Sequence, residues 1–545
     1  MDLRSAVVNV LWGASSALSW ERYRRALRAP AVAQERMLLS CLRRNSDTVI
    51  GREHRFESIR SVADYQARVP PVSYDDIAPL VDRAASGEPG VLTRTRIERL
   101  VPSSGSTAAA KLVPFTADLR GEFTTAIDAW LVDLFLKRPA LMGGPAYWSI
   151  SPATSTPCGP AGVAVPVGFD SDSRYLGGAR RALARSVLAV PDEVARIGDV
   201  DTFRYVTALF LIRARDLRLM SVWHPSFLDG LLDCIEMHRD RLIHDVDRGS
   251  ISPPVPATLA ADVYARLASL LAPDPARAAE LRTAGAHAVE IWPHLSLISC
   301  WADGPAQAAA ALLAQRCETI ALQPKGLLAT EAVVTIPFDG CHPLAIRSHF
   351  FEFVESNGGV KLADELQRGM EYTLLLTTGG GLYRYKLCDR VIVDDFVHET
   401  PSLRFLGKDD RVSDLFGEKL SDGFVARVLE QLFSGAAPRF AMLAPDRGAA
   451  GITYTLFVES DGSTEPDLSV RLERALRLNP QYAWCVDLGQ LRPARVARVG
   501  RGAMGAFVDA CVAGGQRLGD IKPVSLSTAT GWRDRLPQPD VEAAC

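Results

Sequence analysis

The spacing of apolar residues predicts helices in the N-terminal part of the chain. Residues 1–95 carry apolar side chains at helical spacing, most clearly in QERMLLSCLRRN at residues 34–45, and RVPPVSYDD breaks that pattern. A further helix is predicted for residues 117–139, where one face carries Leu119, Phe123, Ile127, Leu131 and Leu134. The stretch AQAAAALLAQRCETI at residues 306–320 also favours a helix. Between residues 140 and 300 we expect helices that alternate with loops rich in proline and glycine.

The pattern changes near residue 332 to one that predicts strands. The runs AVVTIPF, YTLLLTT, LYRYKL and RVIVDDF are rich in β-branched and aromatic residues and are separated by glycines and charges. The stretch TTGGGLYRY predicts a tight turn between two of these strands. Beyond residue 407, FVARVLEQLF and LSVRLERALRLN predict short helices, and ITYTLFVE predicts a strand.

These elements predict an α/β protein with more than one domain, because 545 residues exceed one ordinary hydrophobic core. The stretch GKDDRVSD at residues 407–414 is charged and lacks apolar periodicity, which is typical of a hinge. We therefore predict a large domain at residues 1–407, a hinge at 408–412 and a small mobile α+β lid at 413–545. The large domain is expected to combine β-sheets and a β-barrel-like part with flanking helices.

Charge and hydropathy argue against two classes of partner. The chain has 61 Lys and Arg against 64 Asp and Glu, a net charge of −3, so we expect no nucleic-acid-binding face. No window reaches the roughly 20 uninterrupted apolar residues of a membrane span. The apolar start of the chain is broken by Asn9 and Ser15, and it predicts an amphipathic first helix rather than a signal peptide. We expect no membrane partner.

Cysteine and histidine usage indicates the compartment and disfavours zinc. The ten cysteines include no C-x-x-C pair, which fits a reducing compartment, and we expect the cytoplasm. The nine histidines form no H-E-x-x-H motif, so a zinc site has little support. Nothing in the sequence predicts a partner chain, and a monomer is expected. GRGAMG at residues 500–505 fits a dinucleotide-binding motif, but only 40 residues follow it, too few for such a fold.

The stretch SSGSTAAAK at residues 103–111 is a candidate phosphate-binding loop. Backbone N–H groups and hydroxyls in a glycine-containing turn can surround a polyphosphate, and a lysine can neutralise its charge. The candidate groups are Ser103, Ser104, Gly105, Ser106, Thr107 and Lys111. The alternative is a polar turn before a helix, since serine-rich turns are common there. Neither a G-x-x-x-x-G-K-[ST] motif nor a G-x-S-x-G motif occurs in the chain.

Two later positions carry carboxylates that would complement such a loop. Thr330 and Glu331 precede a predicted buried strand, where a carboxylate could hold Mg²⁺ against a triphosphate. Asp389 falls between two predicted strands, where a carboxylate can accept hydrogen bonds from ribose hydroxyls. The alternatives are a solvated glutamate and an ordinary turn residue.

The order of these motifs resembles that of the adenylate-forming enzymes of the ANL superfamily. More closely, the chain resembles the Gretchen Hagen auxin-responsive family of acyl-acid amido synthetases, in a bacterial-type form. The resemblance covers essentially the whole chain. It rests on the loop at 103–111, LRLMSVWHPSFL, IWPHLSLISCWADG, GGLYRYKLCDRV, FLGKDDRVSDLFGEKL and GITYTLFVE.

The resemblance implies roles for particular residues, with ATP as substrate and Mg²⁺ as cofactor. The 103–111 loop would bind the β- and γ-phosphates, Thr330 and Glu331 would contact the α-phosphate and Mg²⁺, and Asp389 would hold the ribose. Lys408 and Arg411 would lie near the nucleotide at the hinge. Lys522 would bridge the reacting carboxylate and phosphate. The implied catalytic residues are thus Lys111, Glu331 and Lys522.

The acid pocket is expected in the middle of the chain, and several positions depart from the family pattern. Candidate lining residues are Trp223, His224, Trp292 and Trp301, although buried aromatic residues are more often part of a core. The family usually has glycine at the positions of Ala108, Cys388 and Ala332. It usually has a tyrosine that can stack on adenine at the position of Leu327.

The implied activity is ATP-dependent amide formation between small molecules. A carboxylic acid would be activated as an acyl-AMP with release of pyrophosphate, and the acyl group would then pass to an amino acid or another amine. The lid would rotate about residues 408–412 between the two half-reactions. Two alternatives stay open: transfer to the thiol of coenzyme A or a carrier protein, and a degenerate nucleotide-binding protein without catalysis. The Ala- and Arg-rich composition favours a bacterial source, where a specialised metabolite is as plausible an acid as a plant hormone.

Overall fold

The computed structural model describes residues 2–102, 111–149, 164–168, 178–255, 259–285, 287–408, 412–434, 437–448, 451–459, 467–514, 516 and 521–539. The chain divides into two compact units. The first comprises Met1–Trp301, Leu313–Leu387 and Ile392–Arg404, and the second comprises Ala302–Leu312, Cys388–Val391 and Phe405–Cys545. The predicted hinge at 408–412 stays a prediction, and residues 409–411 lie outside the described ranges.

The N-terminal segment is helical, as the apolar spacing predicts. Its helices are α1 (Leu3–Ala26), α2 (Pro30–Arg44), α3 (Val49–Glu53), α4 (Val62–Arg68) and α5 (Tyr74–Ala85). Helix α5 begins with a capping box, in which the Ser73 hydroxyl accepts the N–H of Asp76 and the Asp76 carboxylate accepts the N–H of Ser73. The sequence therefore specifies the start of this helix locally.

Helix α1 is a helix as predicted, but the face that it buries carries Asn9 and Ser16 as well as Trp12 and Tyr23. Asn9 donates hydrogen bonds to the carbonyls of Met142 and Gly144, at 3.1 and 3.2 Å, and the Ser16 hydroxyl donates to Asp128 at 2.8 Å. The apolar residues Leu3, Val7, Val10, Leu11 and Leu18 are exposed instead. Specific long-range hydrogen bonds hold the helix in this orientation, and the apolar pattern alone does not predict it.

A hairpin and a long helix follow. They are β1 (Ile97–Pro102), β2 (Leu112–Thr116) and α6 (Ala117–Lys137). The Thr116 hydroxyl caps α6 by accepting the N–H of Leu119 at 3.1 Å. The predicted helix at 117–139 is confirmed, and it is buried on more sides than the predicted face, since Glu122 and Asp128 are also buried.

A parallel sheet with flanking helices forms the middle of the first unit. Its strands, in spatial as well as chain order, are β3 (Ala146–Trp148), β4 (Leu219–Ser221), β5 (Leu297–Cys300) and β6 (Ala321–Pro324). The helices in this region are α7 (Gly178–Val187), α8 (Val200–Arg213), α9 (Pro225–Met237), α10 (Arg239–Arg248), α11 (Ala261–Ala268), α12 (Pro275–Thr283), α13 (Ala288–Ile291) and α14 (Gln307–Arg316). The helices predicted between residues 140 and 300 and the helix within 306–320 are confirmed, but the short strands β3, β4 and β5 were not predicted, because runs of three or four residues carry little periodicity.

A second sheet has the order β11-β10-β9-β7-β8 within the described residues. Its strands are β7 (Phe350–Val354), β8 (Val360–Lys361), β9 (Glu371–Thr377), β10 (Tyr385–Val397) and β11 (Thr400–Lys408). The predicted turn in TTGGGLYRY joins β9 to β10. The prediction of a strand at residues 332–338 is wrong: this segment makes only isolated bridges, such as Leu328 with Val333 and Thr335 with Leu344. Its apolar residues are buried without continuous pairing to a neighbouring strand.

The second unit contains a small α+β core. Its elements include β12 (Val412–Ser413), β13 (Leu420–Ser421), α15 (Asp422–Leu432), β14 (Phe440–Gly448), β15 (Gly451–Glu459), α16 (Leu468–Leu476), α17 (Pro480–Asp487), β16 (Arg492–Arg498), α18 (Ala503–Ala513) and α19 (Trp532–Arg535). Strands β14 and β15 are antiparallel, and β15 and β16 are parallel. The predicted short helices and the strand in ITYTLFVE are confirmed. In the part of the chain that the structure describes, no helix combines the length and apolar character needed to cross a membrane.

Candidate active site

The candidate phosphate loop connects the two strands of the hairpin. Pro102 at the end of β1 pairs with Leu112 at the start of β2, so the two residues that border the segment 103–111 lie side by side. Lys111 is half-buried immediately before β2. The predictions for Ser103, Ser104, Gly105, Ser106, Thr107 and Ala108 concern residues outside the described ranges. The structure therefore places the lysine at the base of this loop and leaves the hydroxyl groups as predictions.

Thr330 and Glu331 lie in a tight turn rather than before a strand. The N–H of Ala329 donates to the carbonyl of Ala332 at 2.9 Å, which closes the turn around these two residues. Thr330 is half-buried, and Glu331 is 6% exposed. A carboxylate held in a short, closed turn is oriented by the backbone, which suits a group that has to meet a metal ion at a defined position.

A buried histidine supports this turn, and no sequence motif indicates it. The N–H of Val333 donates to Nε2 of His349 at 3.1 Å, so Nε2 carries no proton. Nδ1 therefore carries the proton and donates to Oε2 of Glu122 at 2.9 Å. The Glu122 carboxylate also accepts the N–H of Gly379 with both oxygens, at 2.9 Å each. We call this set, Val333, His349, Glu122 and Gly379, the His349 relay.

The His349 relay joins three segments that lie far apart in the sequence. Glu122 lies on α6, which follows the candidate phosphate loop, and Val333 follows Glu331 by two residues. Gly379 belongs to the glycine turn that precedes β10. His349 and Glu122 are 0% and 7% exposed, so their hydrogen bonds form in a low-dielectric interior, where losing a partner is costly.

The Tyr-Arg-Tyr motif at residues 383–385 has a structural role. Nε of Arg384 is 3.0 Å from Oε2 of Glu352 on β7, and both side chains are buried. Arg384 also donates to the carbonyl of Val69 at 2.7 Å, and the Tyr383 hydroxyl donates to the carbonyl of Leu92 at 3.0 Å. The motif thereby attaches the start of β10 to the N-terminal helical segment.

Asp389 lies within a strand and is paired with a lysine. The expectation that it falls between two strands is wrong, because β10 continues without interruption from Tyr385 to Val397. Nζ of Lys408, at the end of β11, lies 2.7 Å from Oδ1 of Asp389. The Asp389 side chain is buried and that of Lys408 is 30% exposed. The structure brings these two predicted residues together, whereas Arg411 lies outside the described residues.

Lys522 lies in a segment of the second unit that is anchored on both sides. Ile521 is buried in an apolar cluster with Phe440 and Trp532. On the other side, Leu526 pairs with Leu443 of β14, and its N–H donates to Asp422 at 2.8 Å. Lys522 itself is half-buried. These two anchors hold the backbone of Lys522 in place.

The four candidate lining residues separate into two groups. Trp223, His224 and Trp301 lie just beyond the carboxyl ends of β4 and β5, and the rings of His224 and Trp301 are 6.2 Å apart. His224 also caps α9, since its Nδ1 accepts the N–H of Ser226 at 3.2 Å. Trp292 is fully buried in the core and donates to the carbonyl of Leu211 at 2.8 Å, so we leave it out of the proposed site.

Comparison with known proteins identifies the same family as the order of the motifs. The model of the GH3 family N-terminal domain matches residues 20–318, and that of the GH3 family central domain matches residues 342–408. The chain belongs to the GH3 family. The resemblance predicted from the motifs is thereby confirmed.

Similar GH3 proteins are plant enzymes with moderate sequence identity. The rice (Oryza sativa subsp. indica) indole-3-acetic acid-amido synthetase GH3.8 is 24% identical over 77% of this chain and 72% of the relative. The Arabidopsis thaliana indole-3-acetic acid-amido synthetase GH3.3 is 22% identical over 78% of this chain and 74% of the relative. The solved structure of a GH3.15 acyl acid amido synthetase has a TM-score of 0.78 at 19% identity and covers 94% of both chains. This likeness establishes the fold.

The donor set fits a magnesium ion that arrives with a nucleotide better than a metal held by protein alone. Among the described residues, no group of three or more His, Cys, Asp or Glu side chains could hold a metal. Mg²⁺ in nucleotide sites typically takes one or two carboxylates, and phosphate oxygens and waters supply the other ligands. Glu331 offers one buried carboxylate of this kind, and its role as a metal ligand stays a prediction.

Cys388 occupies a backbone conformation that favours glycine. Its φ is +63°, and a residue with a side chain in this region is less stable by about 1–2 kcal/mol. We predict that Cys388→Gly raises the free energy of unfolding by about 0.5–1 kcal/mol, because the relief of strain exceeds the extra entropy of the unfolded chain. Thermal denaturation would detect the gain. Cys388→Ser keeps a side chain at this position and should bring no gain in stability. A lower melting temperature for Cys388→Gly would contradict the prediction.

Proposed function

We propose that this GH3 protein is an ATP-dependent acyl-acid amido synthetase. It activates a carboxylic acid as an acyl-AMP and then joins the acyl group to the amine of an amino acid or another amine. The observation that carries the proposal is the family match over residues 20–318 and 342–408, which includes the phosphate loop, Asp389 and Lys408. The similar curated plant proteins are named as indole-3-acetic acid-amido synthetases.

In the first half-reaction a carboxylate oxygen of the acid attacks the α-phosphorus of ATP. The bond from that phosphorus to the bridging oxygen of pyrophosphate breaks, and pyrophosphate leaves. Lys111, at the base of the phosphate loop, neutralises the leaving group, while Lys522 pairs with the charge on the reacting oxygens. The Asp389 carboxylate accepts hydrogen bonds from the ribose hydroxyls. Its Oδ1 is held by Nζ of Lys408 at 2.7 Å. Glu331 would hold Mg²⁺ together with the nucleotide, and the ion would supply positive charge that offsets the negative charge of the phosphates.

In the second half-reaction the amine nitrogen attacks the acyl carbon. The bond from that carbon to the phosphate oxygen breaks, AMP leaves, and the amine releases a proton. An acyl-AMP is a better electrophile than a carboxylate because AMP is a far better leaving group than oxide. The contribution of the protein is to hold the two reactants in an orientation suited to attack.

The acceptor is tested by supplying ATP, a panel of carboxylic acids and either mixed amino acids or coenzyme A. We expect acid-dependent pyrophosphate release and amide products that mass spectrometry identifies. Thioesters without amides would refute the amido synthetase and favour an acyl-thiol ligase. No pyrophosphate release with any acid, together with no ATP binding in calorimetry, would favour a non-catalytic protein.

Compartment, oligomeric state and biological setting belong to the same proposal. We place the enzyme in the cytoplasm as a monomer acting in bacterial specialised metabolism. The support for a reducing compartment is that, among the described residues, Cys41, Cys234, Cys300, Cys317, Cys341 and Cys485 are not joined in disulfides. Burial raises the pKa of the Cys300 thiol to about 12, which disfavours the reactive thiolate form.

A further inference from the structure

A row of polar side chains crosses the carboxyl end of the parallel sheet. Ser221, Ser299 and Gln323 are register partners on β4, β5 and β6, so their side chains point to the same face of the sheet. Two residues earlier on each strand, the same face carries Leu219, Leu297 and Ala321, which pack with Trp12 and Leu131 in an apolar cluster. The face therefore changes from apolar to polar at the edge where parallel sheets bind their ligands.

Lys325 brings a positive charge to this edge. Its N–H donates to the carbonyl of Cys300 at 2.8 Å, which holds the backbone beside the end of β5. Its Nζ lies 2.7 Å from the Ser221 hydroxyl and 4.9 Å from the centroid of the Trp223 ring. Adjacent strands are about 4.8 Å apart, so the side chain reaches from β6 across β5 to β4. The ammonium group is thus held above an interior strand of the sheet.

Aromatic rings and a buried hydroxyl surround the polar row. Trp148 is the register partner of Ser221, and the Trp130 indole donates to Gln323 at 3.2 Å. The rings of Trp130 and Trp148 are 6.4 Å apart. The Ser299 hydroxyl is fully buried and has no hydrogen-bond partner among the described residues, although its neighbours in the row do. A bound ligand or an ordered water is the usual partner of such a group.

We propose that Lys325 and Ser221 recognise an oxygen substituent of the acid substrate, distinct from the carboxylate that reacts. The ammonium and hydroxyl would bind a hydroxyl, keto or second carboxylate oxygen, while the tryptophan rings contact a flat apolar body. The substrate class is therefore an aromatic or similarly planar acid that carries a second oxygen function. The inference rests on the proposed adenylation, and it concerns which acids are selected.

Lys325 discriminates because an acid without the second oxygen would displace water near the ammonium and offer no oxygen in return, whereas the substituted acid replaces that water. A site built to form a hydrogen bond rejects analogues that lack the partner more strongly than an apolar pocket rejects a change of size. Lys325 is half-buried, so the discrimination is smaller than for a fully enclosed group. We expect a preference of at least about tenfold in kcat/KM for the substituted acid.

The test compares matched acids by their rates of pyrophosphate release. The pairs are 4-hydroxybenzoate with benzoate, and terephthalate with 4-methylbenzoate. The wild type should prefer the oxygen-substituted member by at least about tenfold, and Lys325→Met should reduce that ratio to within about twofold of unity. Lys325→Arg, which keeps the charge, should retain most of the preference. Lys361→Met, a matched change on β8, should leave the ratio unaltered.

Two results would overturn the inference while leaving adenylation intact: a wild type that prefers the unsubstituted acids, or an undiminished preference in Lys325→Met. Should Lys325→Met fail to fold, Ser221→Ala removes the partner hydroxyl and should lower the ratio at least threefold. An unaltered ratio in that variant would also overturn the inference. Pyrophosphate release with none of the acids would instead overturn the proposed function, and with it the selection of acids.

Discussion

Replacing Glu331 with glutamine is expected to lower acid-dependent pyrophosphate release by at least about 100-fold in kcat/KM, or about 2.7 kcal/mol of transition-state stabilisation. The side chain keeps its size but loses the negative charge that is proposed to hold Mg²⁺ against the phosphates. Glu331 is only 6% exposed and lies in a turn closed by a hydrogen bond, so the backbone limits where its carboxylate can lie. Pyrophosphate release at saturating acid, followed over a Mg²⁺ titration, measures the effect.

The matched control is Glu318→Gln, an exposed glutamate in the same unit. We expect its kcat/KM to stay within about twofold of the wild type, since surface substitutions away from a site have small effects. Glu331→Gln should also need more Mg²⁺ to reach half of its maximal rate. A variant that retains more than a third of the wild-type rate at every Mg²⁺ concentration would show that Glu331 is not the metal-binding carboxylate.

Replacing His349 with leucine is expected to lower the free energy of unfolding by about 3–5 kcal/mol. The N–H of Val333 would lose its acceptor, and the buried Glu122 carboxylate would lose the donor at 2.9 Å. Both losses occur in a fully buried environment, where water cannot substitute for the missing partner. Thermal denaturation followed by circular dichroism should show a melting temperature lower by about 5 °C or more.

The control for this variant is His244→Leu on the exposed side of α10, which should change the melting temperature by less than about 1 °C. His349→Leu should also reduce pyrophosphate release in the fraction that remains folded, because Val333 follows the turn that presents Glu331. A purely structural role would lower stability alone. Equal melting temperatures for the two variants would contradict the role that we assign to the His349 relay.

The local elements were predictable because each depends on near neighbours. The capping box of α5 and the periodic faces of α2 and α6 involve residues three or four positions apart, and the structure contains these helices. The strand predicted at residues 332–338 is absent because strand formation depends on more than near neighbours. A run of apolar residues shows burial, but continuous pairing with another strand depends on a partner elsewhere in the chain.

The candidate site also has features that the sequence indicates and features that only the fold decides. The order of the hydroxyl-rich loop, Thr330-Glu331, Asp389 and the charged hinge was enough to indicate the family, because a series of motifs is more specific than any one of them. The pairing of Asp389 with Lys408 was not indicated by any spacing, since it depends on β10 and β11 lying side by side.

The amino-acid pattern alone predicts many of the helices, the strands β9, β10 and β15, and the family of this protein, because periodicity, caps and motif order are written along the chain. The three-dimensional fold decides which distant groups meet. His349 and Glu122 are 227 positions apart, Gly379 and Glu122 are 257 apart, and Lys325 reaches Ser221 across 104 positions. It also decides that α1 turns Asn9 and Ser16 inward, because their hydrogen bonds to distant segments outweigh the burial of a few exposed apolar side chains.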